Sequence, residues 1–277
     1  MKPVPEQRQP QRQSRRRCVF LHHFGVSTHM CVLALMLAGL SQAAFAWSEA
    51  VLYPDKDNTL YETDMDAPGD PNEVSNGVGS FLFAGRTNID AGFRLRRGLI
   101  HFDLAGIPSG SQILSAELVL YQSQISPNAF PVTMSLHRAL EDWGEAGSDG
   151  IGPEGQGAPA LAGDATWYHS FYDTVLWTQE GGVFAPSASA SATVGLALQD
   201  YGWNCSPAMV ADLQDWLDNP GTNSGWVLLG NEDAGGSVRR FNSVNNAEAG
   251  SRPRLRLIYQ SPEDVFADGF EAATCSD

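Results

Sequence analysis

Between residues 96 and 122 the chain spells out two strands and the turn that joins them. In RRGLIHFDL, Ile100, Phe102 and Leu104 fall on one face and Leu99, His101 and Asp103 on the other, the period of two that a half-buried strand needs. GIPSGSQ follows, three turn-forming residue types in one short link, and then ILSAELVLYQ, β-prone and apolar on both faces near Leu118 to Leu120. GWVLLG is short and apolar throughout, as a central strand is. RPRLRLIYQ alternates again, with Leu255, Leu257 and Tyr259 opposite Arg254, Arg256 and Ile258. Short strands bounded by turns over about 215 residues suit one large all-β domain as well as two small ones, arranged as a β-sandwich.

One short α-helix is expected within it. SPAMVADLQDWLDNPG offers Ser206 as N-cap, Pro207 at the first helical position and NPG as a stop. Met209, Leu213, Trp216 and Leu217 share a face at helical spacing, which makes Trp216 a core anchor.

Residues 1–46 read as a signal peptide: a basic region ending in Arg15, Arg16 and Arg17, an apolar run from Met30 to Leu40, and the small-x-small AFA at Ala44 to Ala46. The run is too short to span a bilayer comfortably, and no later stretch is apolar enough for a membrane span. The expected product is exported, secreted or periplasmic, with a domain over 47–260 and an acidic tail over 261–277. Cleavage would remove six of the 17 basic residues and one of the 32 acidic ones, leaving 11 against 31 and a net charge of −20. Such a polyanion has no nonspecific affinity for nucleic acid or anionic membranes, whereas calcium suits its carboxylates. Cys205 and Cys275 remain, and in an oxidising compartment they can pair and staple the tail to the domain.

An ordered set of motifs resembles the DNRLRE-domain proteins, a group related to the family 96 carbohydrate-binding modules. DNTLYE, Asp57 to Glu62, echoes the hexapeptide of the name, with Thr59 and Tyr61 in place of its two arginines. SNGVGSFLFAGRTN, the Arg96–Tyr121 region, HRALEDWGE, GDATW, MVADLQDWLDNPGTNSGWVLLGNE, RRFNS and RPRLRLIY follow in the family's order. The resemblance implies a jelly-roll-like sandwich in exported bacterial proteins, some of which bind acidic polysaccharides, and it implies no catalytic residues.

Two stretches hold candidate site residues. YPDKDNTLYETDMD carries Asp55, Asp57, Glu62, Asp64 and Asp66. Within a strand Asn58, Leu60 and Glu62 share one face and Asp57, Thr59 and Tyr61 the other, so the acids either cap a strand edge or contribute to a calcium site. Glu62 needs a cation or donors, and Arg97 would serve as well as calcium. Glu62, Asp64, Asp66 and Glu73 match calcium-loop spacing, but Ala67 stands where the loop needs glycine. The second stretch is aromatic: Trp143, Trp167, Tyr168, Tyr172 and Trp177 border a long loop rich in Gly, Pro and Ala, Gly144 to Asp164. They either stack sugar rings or close the mouth of the sandwich as core. Arg239 and Arg240 form the best cationic patch for a uronate.

Catalytic motifs are lacking: there is no G-x-S-x-G, H-E-x-x-H or P-loop pattern, and His101, His137 and His169 are scattered as structural hydrogen-bonders. The expected function is noncatalytic binding of a glycan, with an acidic polysaccharide as one candidate, or a matrix role. A structural or adhesive module binding a protein or the cell envelope is the alternative, and a polysaccharide lyase or hydrolase a third reading.

Overall fold

A computed structural model describes residues 47–63, 73–263 and 275. They form strands β1 (Ser48–Leu52), β2 (Lys56–Tyr61), β3 (Val74–Ser75), β4 (Phe81–Arg86), β5 (Leu95–His101), β6 (Gln112–Ile125), β7 (Val132–Arg138) and β8 (Ala158–Pro159). Then come β9 (His169–Phe171), β10 (Val175–Leu176), β11 (Ala190–Val194), β12 (Asp200–Trp203), helix α1 (Pro207–Asp218), β13 (Trp226–Leu229), β14 (Arg239–Asn242) and β15 (Arg254–Gln260). The fold is all-β with one helix, as the strand pattern predicts.

Eleven of these strands form one curled antiparallel sheet with two layers. The first layer runs β1-β15-β6-β12 and the second β2-β5-β13-β7-β11. The 14-residue β6 connects them: its first half pairs with β15, its middle residues Leu118 to Tyr121 with β12 and its last residues with β14, and β14 passes on to β4. β4 meets β5 only at Gly85–Arg96 and Arg86–Leu95, so the sheet turns a corner there. Glycine is required at that corner: Gly85 has φ of +116°, and a Cβ on it would lie 2.8 Å from the Val238 Cα.

The main core fills the space between the layers. Ile100, Leu118, Leu120, Met134, Leu136, Trp203, Trp226, Leu228, Phe241 and Leu255 are buried there, and α1 adds Met209, Leu213, Trp216 and Leu217. The helix begins as its sequence specifies, with Ser206 Oγ accepting from the Met209 N–H at 3.0 Å and Pro207 at the first position.

A second core lies on the opposite face of β5. Leu95 and Leu99, odd-numbered partners of the inward Ile100, join Leu60 of β2 and Val227 of β13. Across from them pack Ala139, Trp143, Ala165, Trp167 and Trp177, all from the irregular segment between β7 and β11. That segment is held by polar anchors. The Asn58 Oδ1 accepts from Ser75 Oγ and the Asn76 N–H at 3.0 and 3.1 Å, and its Nδ2 donates to the Gly144 carbonyl at 3.4 Å. Asp164 accepts from the Ala146 and Leu161 N–H groups, and buried Glu154 from Asn76 Nδ2 and the Phe81 N–H. The long loop is therefore a lid over a fully buried strand pair.

Cys205 and Cys275 are joined by a disulfide with a Cα–Cα separation of 5.6 Å, which ties the end of the tail to the β12–α1 connection. Two stability changes follow from this layout. Trp143→Ala should cost about 3–5 kcal/mol in denaturant unfolding, the range for emptying a large aromatic from a core. Reducing the disulfide, which spans 70 positions, should cost about 4 kcal/mol by the same measurement.

Candidate functional site

The aromatic residues beside the long loop are core. Trp143 is 0 % exposed, Trp167 7 % and Trp177 6 %, so none of these rings presents a face to a sugar. The indole N–H of Trp143 donates to the Ser224 carbonyl and that of Trp177 to the Thr166 carbonyl. Cations occupy two of the ring faces: Lys56 Nζ lies 4.4 Å from the Trp143 centroid and the Arg97 guanidinium 5.0 Å from that of Trp167. Tyr168 and Tyr172 are half-buried, and the Tyr172 ring stands edge-on to His169 at 5.5 Å. Of the two readings of this cluster, the three tryptophans follow the core one: a lid over apolar Leu60, Leu99 and Val227 turns its large aromatics inward.

The acidic stretch does not gather round one point either. β2 has the expected faces, and both are covered: Asn58 and Leu60 point to the second core, Asp57, Thr59 and Tyr61 inward. Asp55 Oδ1 takes His101 Nδ1 at 2.5 Å, Asp57 Oδ2 accepts from the Val244 N–H at 2.7 Å, and Glu62 Oε2 from the Leu95 N–H at 2.7 Å. Arg97, the alternative partner for Glu62, instead forms a two-pronged pair with Glu232 at 2.7 and 2.9 Å. Glu73 is buried and accepts from His169 Nδ1 at 2.9 Å and from Thr166 Oγ1. Asp64 and Asp66 lie outside the described residues. Among the described residues no three His, Cys, Asp or Glu side chains converge on a point that could hold a metal ion.

Of the two arginines, Arg239 is fully enclosed, its guanidinium donating to the carbonyls of Gly236, Ser237, Val238 and Phe130. It cannot meet a uronate, which corrects the expected cationic patch. Arg240 is half-buried, 3.7 Å above the Phe81 ring and bonded to Ser123 Oγ at 3.1 Å.

What the sequence reading missed is the outer face of the first layer. The second layer carries a lid on its outer face. Among the described residues the first layer carries none. From Trp47 to Tyr53 exposure alternates strictly, leaving Trp47, Glu49, Val51 and Tyr53 on the outside. Trp47, Val51 and Tyr53 are 57, 51 and 55 % exposed, unusually so for large apolar side chains on one strand. The register extends this row across the sheet: Val51 stands beside Arg256, which stands beside Glu117, and Glu49 beside Ile258, then Ser115. Arg256 pairs with Glu117 at 3.0 Å, and further along Arg254 pairs with Asp200. Glu49, Val51, Ser115, Glu117, Arg256 and Ile258 line a shallow trough of about 420 Å³, with Trp47 and Tyr53 beyond its lining. The signal was present in WSEAVLY, an alternation hidden because it begins beside the expected cleavage site.

Burial also sets the protonation of two carboxyls. It pushes Asp57 up to about 8, against the Val244 N–H and with help from the charge of Glu145. Glu145 is raised to about 7, again chiefly by burial, with Asp55 and Asp164 adding to the rise. Asp57 is 1 % exposed, so its late titration reflects enclosure beneath the 243–246 turn and offers no acid to a substrate. Because the folded protein holds these protons above the pH at which the unfolded chain releases them, stability falls as pH rises from about 4 to about 8. Asp57→Asn keeps an oxygen for the Val244 N–H and should flatten that slope, so that its melting temperature gains on the unsubstituted protein as pH approaches 8.

Compared with known proteins, the chain matches no protein-family model and no curated protein sequence.

Proposed function

We propose that this protein is an exported, noncatalytic glycan-binding β-sandwich of the DNRLRE type, and that it lays a polysaccharide chain along β1 on the outer face of the first layer, which no lid among the described residues covers. The observation that carries this reading is the exposed row of Trp47, Val51 and Tyr53 beside the polar ladder of Glu49, Ser115, Glu117 and Arg256. Sugar rings stack apolar faces on aromatic rings and bind through hydroxyls to flanking charged and hydroxyl groups. Six residue steps of extended chain separate Trp47 from Tyr53, about 20 Å, enough for several linked sugars.

Charge favours a neutral chain over an acidic one. Glu49 and Glu117 face the trough, Arg256 is already paired, and the mature chain is strongly negative. Export is supported by the leader-like segment and by the disulfide, which persists in oxidising compartments. Among the described residues no helix is long and apolar enough to cross a membrane.

The adhesive reading has one observation of its own. β1 ends the strand order, so its outer edge can accept a strand from a partner protein. Calorimetric titration of the disulfide-bonded protein against a neutral glucan, a chitin oligomer and alginate separates the two. Saturable heat with a neutral glycan is expected, and Trp47→Ala and Tyr53→Ala should each weaken it by about tenfold or more. No heat with any glycan from a folded sample would sink the glycan reading in favour of a partner strand.

A further inference from the structure

The strand order of the sheet ends in β1 and β11, and the two ends are finished differently. β11 presents a small, polar outer row, Ser191 and Thr193, with Ala190 and Val194 buried. The outer backbone edge of β1 is unpaired among the described residues. Edge strands are commonly blunted by a Lys, a Pro or a bulge, because a free row of N–H and C=O groups is a template for another strand. β1 has none of these devices: its residues are SEAVL, and it meets β15 without a register shift. The alternating run extends from Trp47 to Tyr53, and only then does Pro54 end it.

The side chains say what fits this edge. Trp47, Glu49, Val51 and Tyr53 lie on the outer face. Ala50 and Leu52 point to the main core and are only partly buried there. A strand that continues the sheet must set apolar groups against the outer aromatics and keep acids away from Glu49. β1 itself meets both demands. Two copies related by a two-fold axis normal to the sheet pair antiparallel. With Ala50 on that axis, Trp47 stands opposite Tyr53 of the second copy, Glu49 opposite Val51, Ser48 opposite Leu52 and Ala50 opposite Ala50. Moving the axis to Glu49 opposes two like charges directly. Moving it to Val51 sets Trp47 against Asp55, beyond Pro54. A slip of a single residue turns the outer row of one copy toward the core face of the other.

We infer that two copies of this chain join edge to edge through β1, in the register centred on Ala50, making one continuous sheet across the dimer. The seam's hydrogen bonds lie in the plane of the sheet and the troughs on its outer face, so pairing and glycan binding do not compete. The net charge of −15 on each chain opposes self-association, so added salt should tighten the dimer.

The test is sedimentation velocity of the disulfide-bonded protein, without sugar, from about 1 to about 500 μM in about 0.15 M salt. A concentration-dependent passage from monomer to dimer is expected. Val51→Glu places an acid opposite Glu49 twice in the seam and should weaken the dimer by about tenfold. Val51→Lys places the opposite charge there and should not weaken it. Glu49→Lys combined with Val51→Glu should restore pairing. Both positions are exposed, so melting temperatures in dilute solution should stay unchanged. A protein that remains monomeric up to about 500 μM would overturn the inference. So would a dimer that responds alike to Val51→Glu and Val51→Lys, since its seam would lie elsewhere. No sugar is present, so failure here leaves the glycan reading to its own titration.

Discussion

The buried carboxamide of Asn58 is the fastening on which the upper half of this molecule depends. Strand β2 is buried on both faces, and a residue at its centre has no solvent on either side to satisfy a polar group. Asn58 answers with donor and acceptor at once, gripping Ser75 and Asn76 on one side and the Gly144 carbonyl on the other. Those contacts fix where the lid begins and how low it sits. The aromatic residues that follow then have one place to go, onto Leu60, Leu99 and Val227. Gly144 shows how close the fit is: a Cβ there would lie 1.8 Å from the Gly163 carbonyl oxygen.

This arrangement leaves the two outer faces of the sandwich unlike each other. One is sealed by the 51 largely irregular residues between β7 and β11, held by buried side-chain anchors such as Asp164, Glu154 and Asn76. The other is a plain sheet surface whose polar rows pair along the ladder, Arg256 with Glu117 and Arg254 with Asp200. Polar and charged side chains on that face are at home in water, while the large apolar Val51 on β1 and Trp47 and Tyr53 at its two ends are not. Solvation alone thus separates a scaffold side from a side built to meet something.

Much of the fold was legible because it is local. The alternation in RPRLRLIYQ and RRGLIHFDL, the continuous apolarity of GWVLLG, and the Ser206–Pro207 helix start are each decided within a few residues, and each appears where expected. The site was less legible for the opposite reason. Whether Trp143 or Trp167 faces in or out depends on Asn58 and Val227, more than 80 and about 60 positions away, and no spacing in the loop itself encodes that. Asp57 likewise reads as a surface acid until the turn at Val244 closes over it. Trp47 and Tyr53 had a local signal, but a strand with one exposed apolar row looks the same as one whose row is buried until its partner layers are known.

The pairing of β1 with β15 has a consequence for the gene as much as for the protein. The first and last strands of the domain are hydrogen-bonded neighbours in antiparallel register, with Ser48 beside Tyr259. Entry and exit of the chain therefore sit side by side. A domain with adjoining ends can be spliced into a host polypeptide, or strung between others, with little disturbance to the layers between. Its two cores are closed within that boundary, so recombination can move the whole sandwich as one unit.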